Sequence, residues 1–502
     1  MSAPAVLSDQ TTQRRPPSRT QSFSVVLMIE LWERFGYYGM QSILLLFMVE
    51  RLGFHDSRAN LLWGAFAALT YAAPAIGGWV GDAVLGSRRT MLLGACTLAA
   101  GYMLLSLPTR GVVLLYAAMG TISVGNGLFK SNAANLVRRI YEGDDGRLDG
   151  AFTIYYMAVN VGSTVSLLLS PWLKDRFGWH AAFAASVAGL LLGLANYLMM
   201  RHLLEGIGSA PDARPLRPNR LAAVIAVGLG AIVLVGIVLQ HPDLARDCVW
   251  LAGAIVAGIW VWTYRTGAAS ERPGLLMMYL LTVEVMLFFI FYQQMATSLT
   301  LFALRNVNLG FSLAGVRLFT WSPAQFQALD PIWIMLLSPP LAFAYNRLGA
   351  SGRDLSMAGK FLVGFAAVAA GFLIWWLACR ASTTAMVSSW VMVWGYGLLS
   401  LGELLISGLG LAVVARYVPA RMSGFMMGAY FVGVGVAMYV GSVVANYAAA
   451  GDVGVAASAA QTLPLYTALF FKLFLLACGG TALFALLLPI TAKLDAAHRR
   501  RT

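Results

Sequence analysis

Fourteen long apolar runs follow one another along the 502-residue sequence, and they constrain the fold more than any other feature. Most of them hold about 20 residues or more, the length of helix that crosses a bilayer core about 30 Å thick. Charged residues make up only 11% of the chain, against about 25% in a soluble domain. The weak alternation of a membrane β-barrel is absent. The sequence therefore predicts an all-α polytopic membrane protein with helices at 23–50, 58–82, 89–107, 111–138, 150–173, 181–203, 219–240, 248–266, 273–304, 323–346, 356–379, 384–416, 422–448 and 464–492.

Positive charge is distributed unequally between the two ends of these runs. The net charge is +13, which could suggest nucleic-acid binding, but the arginines cluster where apolar runs end. With the N-terminus inside, the inner loops and tails hold 23 of the 35 Lys and Arg residues, and the outer loops hold 9. This asymmetry follows the positive-inside rule. We therefore expect no nucleic-acid partner, and a multi-pass protein with both termini in the cytoplasm.

Polar links divide the runs into groups of six, two and six. GIGSAPDARPLRPNR at 206–220 follows the sixth run, and TYRTGAASERPG at 263–274 precedes the ninth. Two six-helix halves with a substrate path between them are common in secondary transporters. The two helices between the links lack charge within the membrane, so we expect them at the periphery. The predicted division is a disordered cytoplasmic tail at 1–22, an N-terminal six-helix bundle at 23–203, a linker with two inserted transmembrane helices at 204–272, a C-terminal six-helix bundle at 273–493 and a basic cytoplasmic tail at 494–502.

The first span begins with a polar stretch, IELWERFGYYGMQS at 29–42. Its polar residues are spaced i, i+3, i+4, i+7, i+8 and i+11, which places them on one face of a helix. A charge at mid-membrane costs about 2.5–3.5 kcal/mol on insertion scales, so such a face usually lines a bundle interior or a watery cavity. For Glu30 an interfacial first turn is the alternative. The face consists of Glu30, Glu33, Arg34, Tyr37, Tyr38 and Gln41.

Three stretches resemble motifs of known transporters. The loop GGWVGDAVLGSRRT at 77–90 resembles the inner-loop motif of the major facilitator superfamily. ELWERFGYYG at 30–39 resembles the E-x-x-E-R-F-x-Y-Y-G signature of the proton-dependent oligopeptide transporters. FTIYYMAVNVG at 152–162 resembles the second signature of that family, with either Tyr155 or Tyr156 in register.

Two further stretches extend the resemblance to the middle and the second half of the chain. GNGLFKSN at 125–132 is similar to the fourth helix of the family, including its lone lysine, Lys130. GELLISGLGL at 402–411 is similar to the tenth helix. The resemblance runs from residue 23 to about 492. It implies the major facilitator fold of two six-helix bundles, here with two inserted helices.

The resemblance implies transport of peptides, and the side chains suit a zwitterionic peptide. Arg34 and Lys130 supply cations for the carboxylate, since guanidinium can grip it bidentately while ammonium acts as a point charge. Glu403 supplies an anion for the amino group. Neutral side chains offer hydrogen bonds to peptide groups of any sequence, although interhelical hydrogen bonds are an equal alternative for the tyrosines and the asparagine. These residues are Tyr37, Tyr38, Tyr71, Asn160 and Ser407.

Four positions depart from the family pattern. Gln41 and Gln293 stand where the family usually has an Arg and a Glu that can form an ion pair between the halves. Their joint loss is self-consistent, because losing one alone would strand a buried charge. Asp330 stands where the family typically has Asn, and by analogy it adds a carboxylate to the central cavity. Tyr430 replaces a tryptophan of the binding site, so we predict Gln293, Asp330 and Tyr430 as further substrate-binding residues.

Proton coupling needs a titratable group that alternates between water and occlusion. All five histidines lie at helix ends or in loops, so carboxylates are the candidates. We predict that Glu33 carries coupling by pairing with Lys130 when the substrate is absent. We expect Glu30 to assist, and Asp330 partly to replace the glutamate that relatives carry at position 293.

The sequence therefore predicts a proton-coupled symporter that imports di- and tripeptides by alternating access in a bacterial cytoplasmic (inner) membrane. Short loops, without a large extracellular insert, favour the bacterial assignment. The alternatives are a same-fold transporter of another small solute, such as nitrate or a peptide-like drug, and a non-transporting peptide sensor. The sequence has no metal-like spacing, nucleotide loop or nucleophile–base pair, so we expect no enzyme, no metal and no cofactor beyond the coupling proton. The expected partners are the peptide, protons and membrane lipids, and we expect a monomer.

Overall fold

The computed structural model describes residues 18–108, 111–352, 355–449 and 457–499, which are almost entirely helical. In lipid, a helix satisfies its backbone polar groups within the segment, so apolar runs of this length fold as helices. Short π-helical segments at Phe47–Arg51 and Val80–Val84 extend the first two helices. The α-helices are α1 (Arg19–Leu46), α2 (Asp56–Trp79), α3 (Ser87–Ser106), α4 (Val112–Ile140), α5 (Asp145–Phe177), α6 (Trp179–Met200), α7 (Pro218–Gln240), α8 (Pro242–Thr266), α9 (Arg272–Tyr292), α10 (Ser298–Asn306), α11 (Leu329–Ala350), α12 (Met357–Ala381), α13 (Ser389–Tyr417), α14 (Ser423–Ala445) and α15 (Ala459–Arg499).

Thirteen helices of the described chain are long and apolar enough to cross a membrane. They correspond to the predicted spans other than the first, and the prediction of an all-α polytopic protein is confirmed. α1 falls outside this set because Glu30, Glu33 and Arg34 interrupt its apolar sequence. Its 28 residues nevertheless form a continuous helix, about 42 Å long at 1.5 Å per residue, that packs against α5 and α6.

The helices pack in two groups. In the first half of the chain, α1 packs against α5 and α6, α3 packs against α4 and α6, and α2 packs against α4. In the second half, α12 packs against α13 and α15, while α9 packs against α13, α14 and α15. The two groups meet where α2 lies along α14 and where α5 contacts α11. A central cavity lies between them.

α7 and α8 lie on the outside of this meeting line. α7 packs against α4 and α2, and α8 packs against α14 and α2. Most of α7 is exposed, with Val227 and Val233 among its large exposed side chains. A helix that is apolar all round and exposed within a membrane protein faces lipid. α7 therefore contributes little to the core between the halves.

The N-terminal tail is shorter than predicted. The Ser18 hydroxyl accepts a hydrogen bond from the Gln21 amide at 3.3 Å, and the Gln21 side chain accepts one from the Ser18 amide at 3.0 Å. This reciprocal capping box starts α1 at Arg19. Residues 19–22 are therefore helical and Ser18 caps them, which corrects the prediction of a disordered tail there. Residues 1–17 lie outside the described residues.

The C-terminal tail is also shorter than predicted, because α15 continues to Arg499. Asp495 holds this end in place. It accepts a hydrogen bond from the Tyr417 hydroxyl at 2.8 Å and forms an ion pair with Arg499 at 2.7 Å. Of the predicted basic tail, 494–499 is helix and 500–502 lies outside the described residues.

The predicted single span at 273–304 is broken into α9 and α10. A short turn separates them, and hydrogen bonds from its side chains hold it in place. Thr297 Oγ1 donates to the Gln293 carbonyl at 2.7 Å, and Gln294 Nε2 donates to the Gly441 carbonyl of α14 at 2.8 Å. Non-helical backbone is tolerated at membrane depth where protein surrounds it or a cavity adjoins it. The break brings Gln293 to the cavity wall.

A β-hairpin that the sequence analysis did not predict follows α10. β1 (Val307–Asn308) pairs in parallel with β4 (Val387–Ser388), while β2 (Gly310–Leu313) and β3 (Val316–Thr320) pair antiparallel. Ala314 and Gly315 form the turn with φ of 49° and 84°, the left-handed region that tight hairpin turns require.

Candidate functional site

A cavity of about 90 Å³ lies between the two halves. It is lined by side chains from both groups of helices, and polar residues are unusually frequent among them. Most of the predicted substrate-binding positions line it. Those of the first half are Arg34, Tyr37, Tyr38, Tyr71, Lys130 and Asn160, joined by Gln41, and those of the second half are Gln293, Asp330 and Glu403.

The first half contributes what we call the cation wall, made of Arg34 and Lys130 with the carboxylates Glu30 and Glu33. Arg34 Nε lies 2.5 Å from Glu33 Oε2 and 3.3 Å from Glu30 Oε1, and all three side chains are buried. Arg34 Nη2 also donates to Asn126 Oδ1 at 3.4 Å. Burial of these three side chains is tolerable because Arg34 forms ion pairs with both carboxylates. Two cations and two carboxylates leave this wall formally neutral.

Lys130 is placed differently from the prediction. Its Nζ lies 5.0 Å from the centre of the Tyr71 ring, a cation–π arrangement. In the described part of the chain no carboxylate lies within 4.0 Å of it. The predicted pairing of Glu33 with Lys130 is therefore not seen, because Arg34 is adjacent to Glu33 on the same helix and takes that carboxylate. Lys130 is left facing the cavity.

The second half contributes what we call the carboxyl wall, made of Asp330 on α11 and Glu403 on α13. Asp330 Oδ1 accepts a hydrogen bond from Ser400 Oγ at 2.6 Å. The Asp330 and Glu403 side chains lie next to each other, and two carboxyl groups so close cannot readily both be ionised, so they can share one proton. Glu403 Oε2 is buried without a hydrogen-bond partner among the described residues. None of the described second-half residues that line the cavity is a cation.

Two neutral amides, Gln41 and Gln293, lie at the positions where the family resemblance implies a lost ion pair between the halves. Gln293 Nε2 donates to Ser442 Oγ at 2.9 Å, within the second half. Its Oε1 is buried without a partner among the described residues. Gln41 lines the cavity from the first half. The two halves are therefore not tied by charge at this level.

The structure decides between the two tyrosines that the second signature left open. Tyr156 lines the cavity with Asn160 and Ser163, at the i, i+4, i+7 spacing of one helix face. Tyr155 lies on the side of the cation wall, close to Glu30. The Asn160 amide donates to the Tyr156 carbonyl at 2.8 Å, so part of its hydrogen bonding is used within α5.

Two predicted substrate-binding residues do not line the cavity, and neither do the predicted coupling residues Glu30 and Glu33. Tyr430 is buried with its hydroxyl against Gly410 of α13. Ser407 lies half-buried one turn along α13 from Glu403. The motif at 402–411 places Glu403 and Ser407 on one face of α13. It does not determine how far the cavity extends along that helix. The sequence analysis also missed lining residues that no charge or signature marked, namely Trp63, Thr70, Asn126, Tyr292 and Gln327.

Polar contacts close one end of the cavity. Asp56 of α2 and Arg305 of α10 form a buried bidentate ion pair across the two halves, with Nη2 to Oδ1 at 2.7 Å. Asn60 and Asn446 bond at 3.0 Å beside it, and Gln327 Nε2 reaches the Ser42 carbonyl at 3.3 Å. The hydrogen bonds and ion pairs that join the halves within the described chain lie toward this end. By the predicted topology it is the outer end.

The site has no metal-binding character. Within the described residues there is no group of three or more His, Cys, Asp or Glu side chains that could hold a metal ion. The four cysteines, including buried Cys379, are free. The chemistry available at the cavity is therefore ion pairing, hydrogen bonding and proton exchange at its carboxyl groups.

Two bundles around a central polar cavity define a secondary transporter of the major facilitator type. Comparison with known proteins identifies its family. The family model described as "PTR2: POT family" matches residues 88–461. The chain belongs to the POT family.

Curated relatives and solved structures agree with this assignment. The chain is 40% identical over 480 residues to dipeptide and tripeptide permease B of Salmonella typhimurium, covering 93% of this chain and 94% of the relative. It is 42% identical over 482 residues to dipeptide and tripeptide permease A of Proteus mirabilis, covering 94% of each. The crystal structure of tetrameric PepTSo2 matches with a TM-score of 0.86 and 52% identity, covering 95% of this chain and 99% of that one.

Proposed function

We propose that the protein is a proton-coupled symporter that imports di- and tripeptides by alternating access. The observation that carries this proposal is the opposed chemistry of the cavity. A cation wall and a carboxyl wall face each other across one small space. The names of the relatives as dipeptide and tripeptide permeases support the same substrate class.

The two walls suit the two ends of a zwitterionic peptide. Lys130 faces the cavity without a carboxylate partner within 4.0 Å, so it can take the peptide carboxylate as a point charge. Arg34 can add a bidentate grip once a carboxylate partner is released. Glu403, with one oxygen unbonded, can accept the peptide ammonium. Tyr37, Tyr38 and Asn160 line the space between and suit the peptide groups.

Two proton sites fit this arrangement. Protonation of Glu33 would remove its ion pair with Arg34 and free the guanidinium for the peptide carboxylate. On the opposite wall, when Glu403 ionises to bind the ammonium, its proton can pass to the neighbouring Asp330. Proton and peptide then occupy the same cavity, which is what symport requires. In this proposal Glu33 carries coupling, Glu30 assists, and Asp330 supplies part of the role of the glutamate that is absent at Gln293.

Alternating access follows from the contacts between the halves. The ion pair of Asp56 with Arg305 holds the halves together at one end, and its rupture would open that end. We assign this as the outer end, with both termini in the cytoplasm of a bacterial cell and the protein in its inner membrane. The monomer is proposed as the transporting unit, because the cavity is complete within one chain.

The direct test is uptake of labelled dialanine into liposomes that contain the purified protein, with and without an inward proton gradient. We expect accumulation above the outside concentration only with the gradient, and counterflow of labelled for unlabelled peptide without it. Counterflow alone would indicate a facilitator. Binding without counterflow would indicate a peptide sensor. Accumulation of nitrate in place of peptide would indicate the same-fold alternative.

A further inference from the structure

The polar link before α7 folds back onto the turn between α2 and α3. Ser209 Oγ donates to the Gly81 carbonyl at 2.6 Å and accepts from the Ser87 amide at 2.9 Å. Asp212 accepts from the Arg88 amide at 3.2 Å. These bonds supply the cap that Gly86 cannot, since it has no side chain to bond the first amides of α3. The link is thus a fixed part of the first half.

This docking brings four arginines together in a cavity of about 150 Å³, which we call the arginine pocket. Arg89 comes from α3, and the others come from the link and the start of α7. No acidic residue is among the described residues that line the cavity. The nearby Asp212 is buried and engaged with the α3 amides and Arg88. The four are Arg89, Arg214, Arg217 and Arg220.

The charges of the arginine pocket are not neutralised within the described protein. Arg89 donates to the carbonyls of Pro211 at 3.1 Å and Arg214 at 2.7 Å, which fix its direction but leave its charge uncompensated. Arg217 is the N-cap of α7, and Arg220 lies in its first turn. A helix N-terminus carries a partial positive charge, so cations there are unfavourable unless an anion is present. The arrangement therefore fits a bound anion.

The surroundings indicate where the anion comes from. α7 starts at the pocket and is exposed to lipid along most of its length, and Leu216 at the pocket rim is itself exposed. The pocket thus lies at the membrane surface, beside a helix around which acyl chains pack. Basic clusters immediately next to a transmembrane helix attract anionic lipid headgroups. We propose that the arginine pocket binds the phosphate of an anionic phospholipid of the inner leaflet, with its acyl chains along α7.

Native mass spectrometry of the purified full-length protein tests this proposal. The protein in neutral detergent is titrated with phosphatidylglycerol, and separately with phosphatidylcholine. Arg217→Gln/Arg220→Gln is the test variant, because these exposed side chains make no tertiary bond that holds the fold. Two lost cations near a membrane surface should weaken phosphatidylglycerol binding roughly 30-fold. Peptide counterflow by the same variant confirms that it is folded.

The matched control is Arg265→Gln/Arg347→Gln, which removes two exposed arginines from the last turns of α8 and α11. We expect this control to bind phosphatidylglycerol like the wild type, and phosphatidylcholine to bind weakly to all three proteins. Equal loss in test and control variants would overturn the proposal in favour of diffuse charge attraction. Displacement of the lipid by glycerol phosphate at the concentration at which the lipid itself binds would also overturn it, in favour of a free phosphate ester. Either result leaves the peptide-transport proposal untouched.

Discussion

The two walls of the cavity hold the same number of carboxyl groups in opposite electrostatic settings. On the cation wall, Glu30 and Glu33 lie beside Arg34, and Lys130 is near, so the charges balance. On the carboxyl wall, Asp330 and Glu403 lie next to each other with no lining cation from the second half among the described residues. An uncompensated charge is expensive to bury. The cation wall can therefore hold its charges in ion pairs, whereas the carboxyl wall needs a proton or a ligand cation.

In the proposed mechanism this difference gives the two halves distinct tasks. Titration of the cation wall would change which group Arg34 contacts and so control access to the peptide carboxylate. Titration of the carboxyl wall would change the charge that meets the peptide ammonium. Variants of each wall should therefore fail in different assays, and the following predictions test that separation.

The largest effect is expected from removing Arg34 or Lys130 from the cation wall. Arg34→Ala or Lys130→Ala should reduce proton-driven dialanine uptake by about 100-fold or more, because the bound carboxylate loses a charge-assisted partner in a low-dielectric cavity. Uptake at matched expression is the measurement. Lys472→Ala is the control, because Lys472 is also a lysine of a membrane helix but lies over Tyr447, away from the cavity. Normal driven uptake by Lys130→Ala would falsify its assignment.

The second effect concerns coupling through Glu33. Glu33→Gln should abolish accumulation driven by a pH gradient and keep peptide counterflow, because the neutral amide permanently removes the shorter of the two ion pairs of Arg34 and can no longer take up a proton. Glu284→Gln is a matched control, since Glu284 is a buried carboxyl of α9 outside both walls. If Glu30→Gln/Glu33→Gln still concentrates peptide at low outside pH, the cation wall does not carry coupling.

The third effect concerns Glu403 and the peptide amino group. Glu403→Gln should weaken competition by free dipeptides by about 10-fold, the size expected for loss of a charged hydrogen bond. N-acetylated dipeptides lack the ammonium and should lose little. Inhibition of labelled dialanine uptake by each class gives the comparison. Equal losses for both classes would give Glu403 a structural role instead.

The smallest effect is expected at Asp330. Asp330→Asn keeps the contact to Ser400 and can still donate to Glu403, but it cannot release a proton. We expect about fivefold lower gradient-driven accumulation, equivalent to about 1 kcal/mol, with counterflow unchanged, because one of the two proposed proton sites is lost. Asp330→Asn in a Glu403→Gln background should add little, because both act on one shared proton. Full additivity would show that the two carboxyl groups act separately.

The sequence determined the membrane helices and much of the cavity for clear physical reasons. Span length and the cost of buried charge are local properties, and so is the helical spacing that brings Arg34, Tyr37 and Tyr38 to one face. Contacts between distant segments were harder. The pairing of Asp330 with Glu403 depends on how α11 and α13 pack, and no periodicity reports that distance.

The errors in the sequence-based predictions had different causes. The break between α9 and α10 follows from side-chain bonds such as Gln294 to Gly441, which need the partner helix in place. The early start of α1 was readable in principle, since Ser18 and Gln21 form a capping box three residues apart. Tyr430 was placed by analogy alone, and its burial against Gly410 could not be read from the sequence.

The proposed symport requires that protons travel with the peptide through two carboxyl sites. A pH dye trapped inside proteoliposomes tests this most directly. When dialanine is added outside proteoliposomes that contain the wild-type protein, the lumen should become more acidic in proportion to peptide entry. The Glu33→Gln/Asp330→Asn variant should still exchange peptide in counterflow but produce no acidification. Peptide entry without acidification in the wild type, or unchanged acidification in that variant, would contradict proton coupling through these two carboxyl sites.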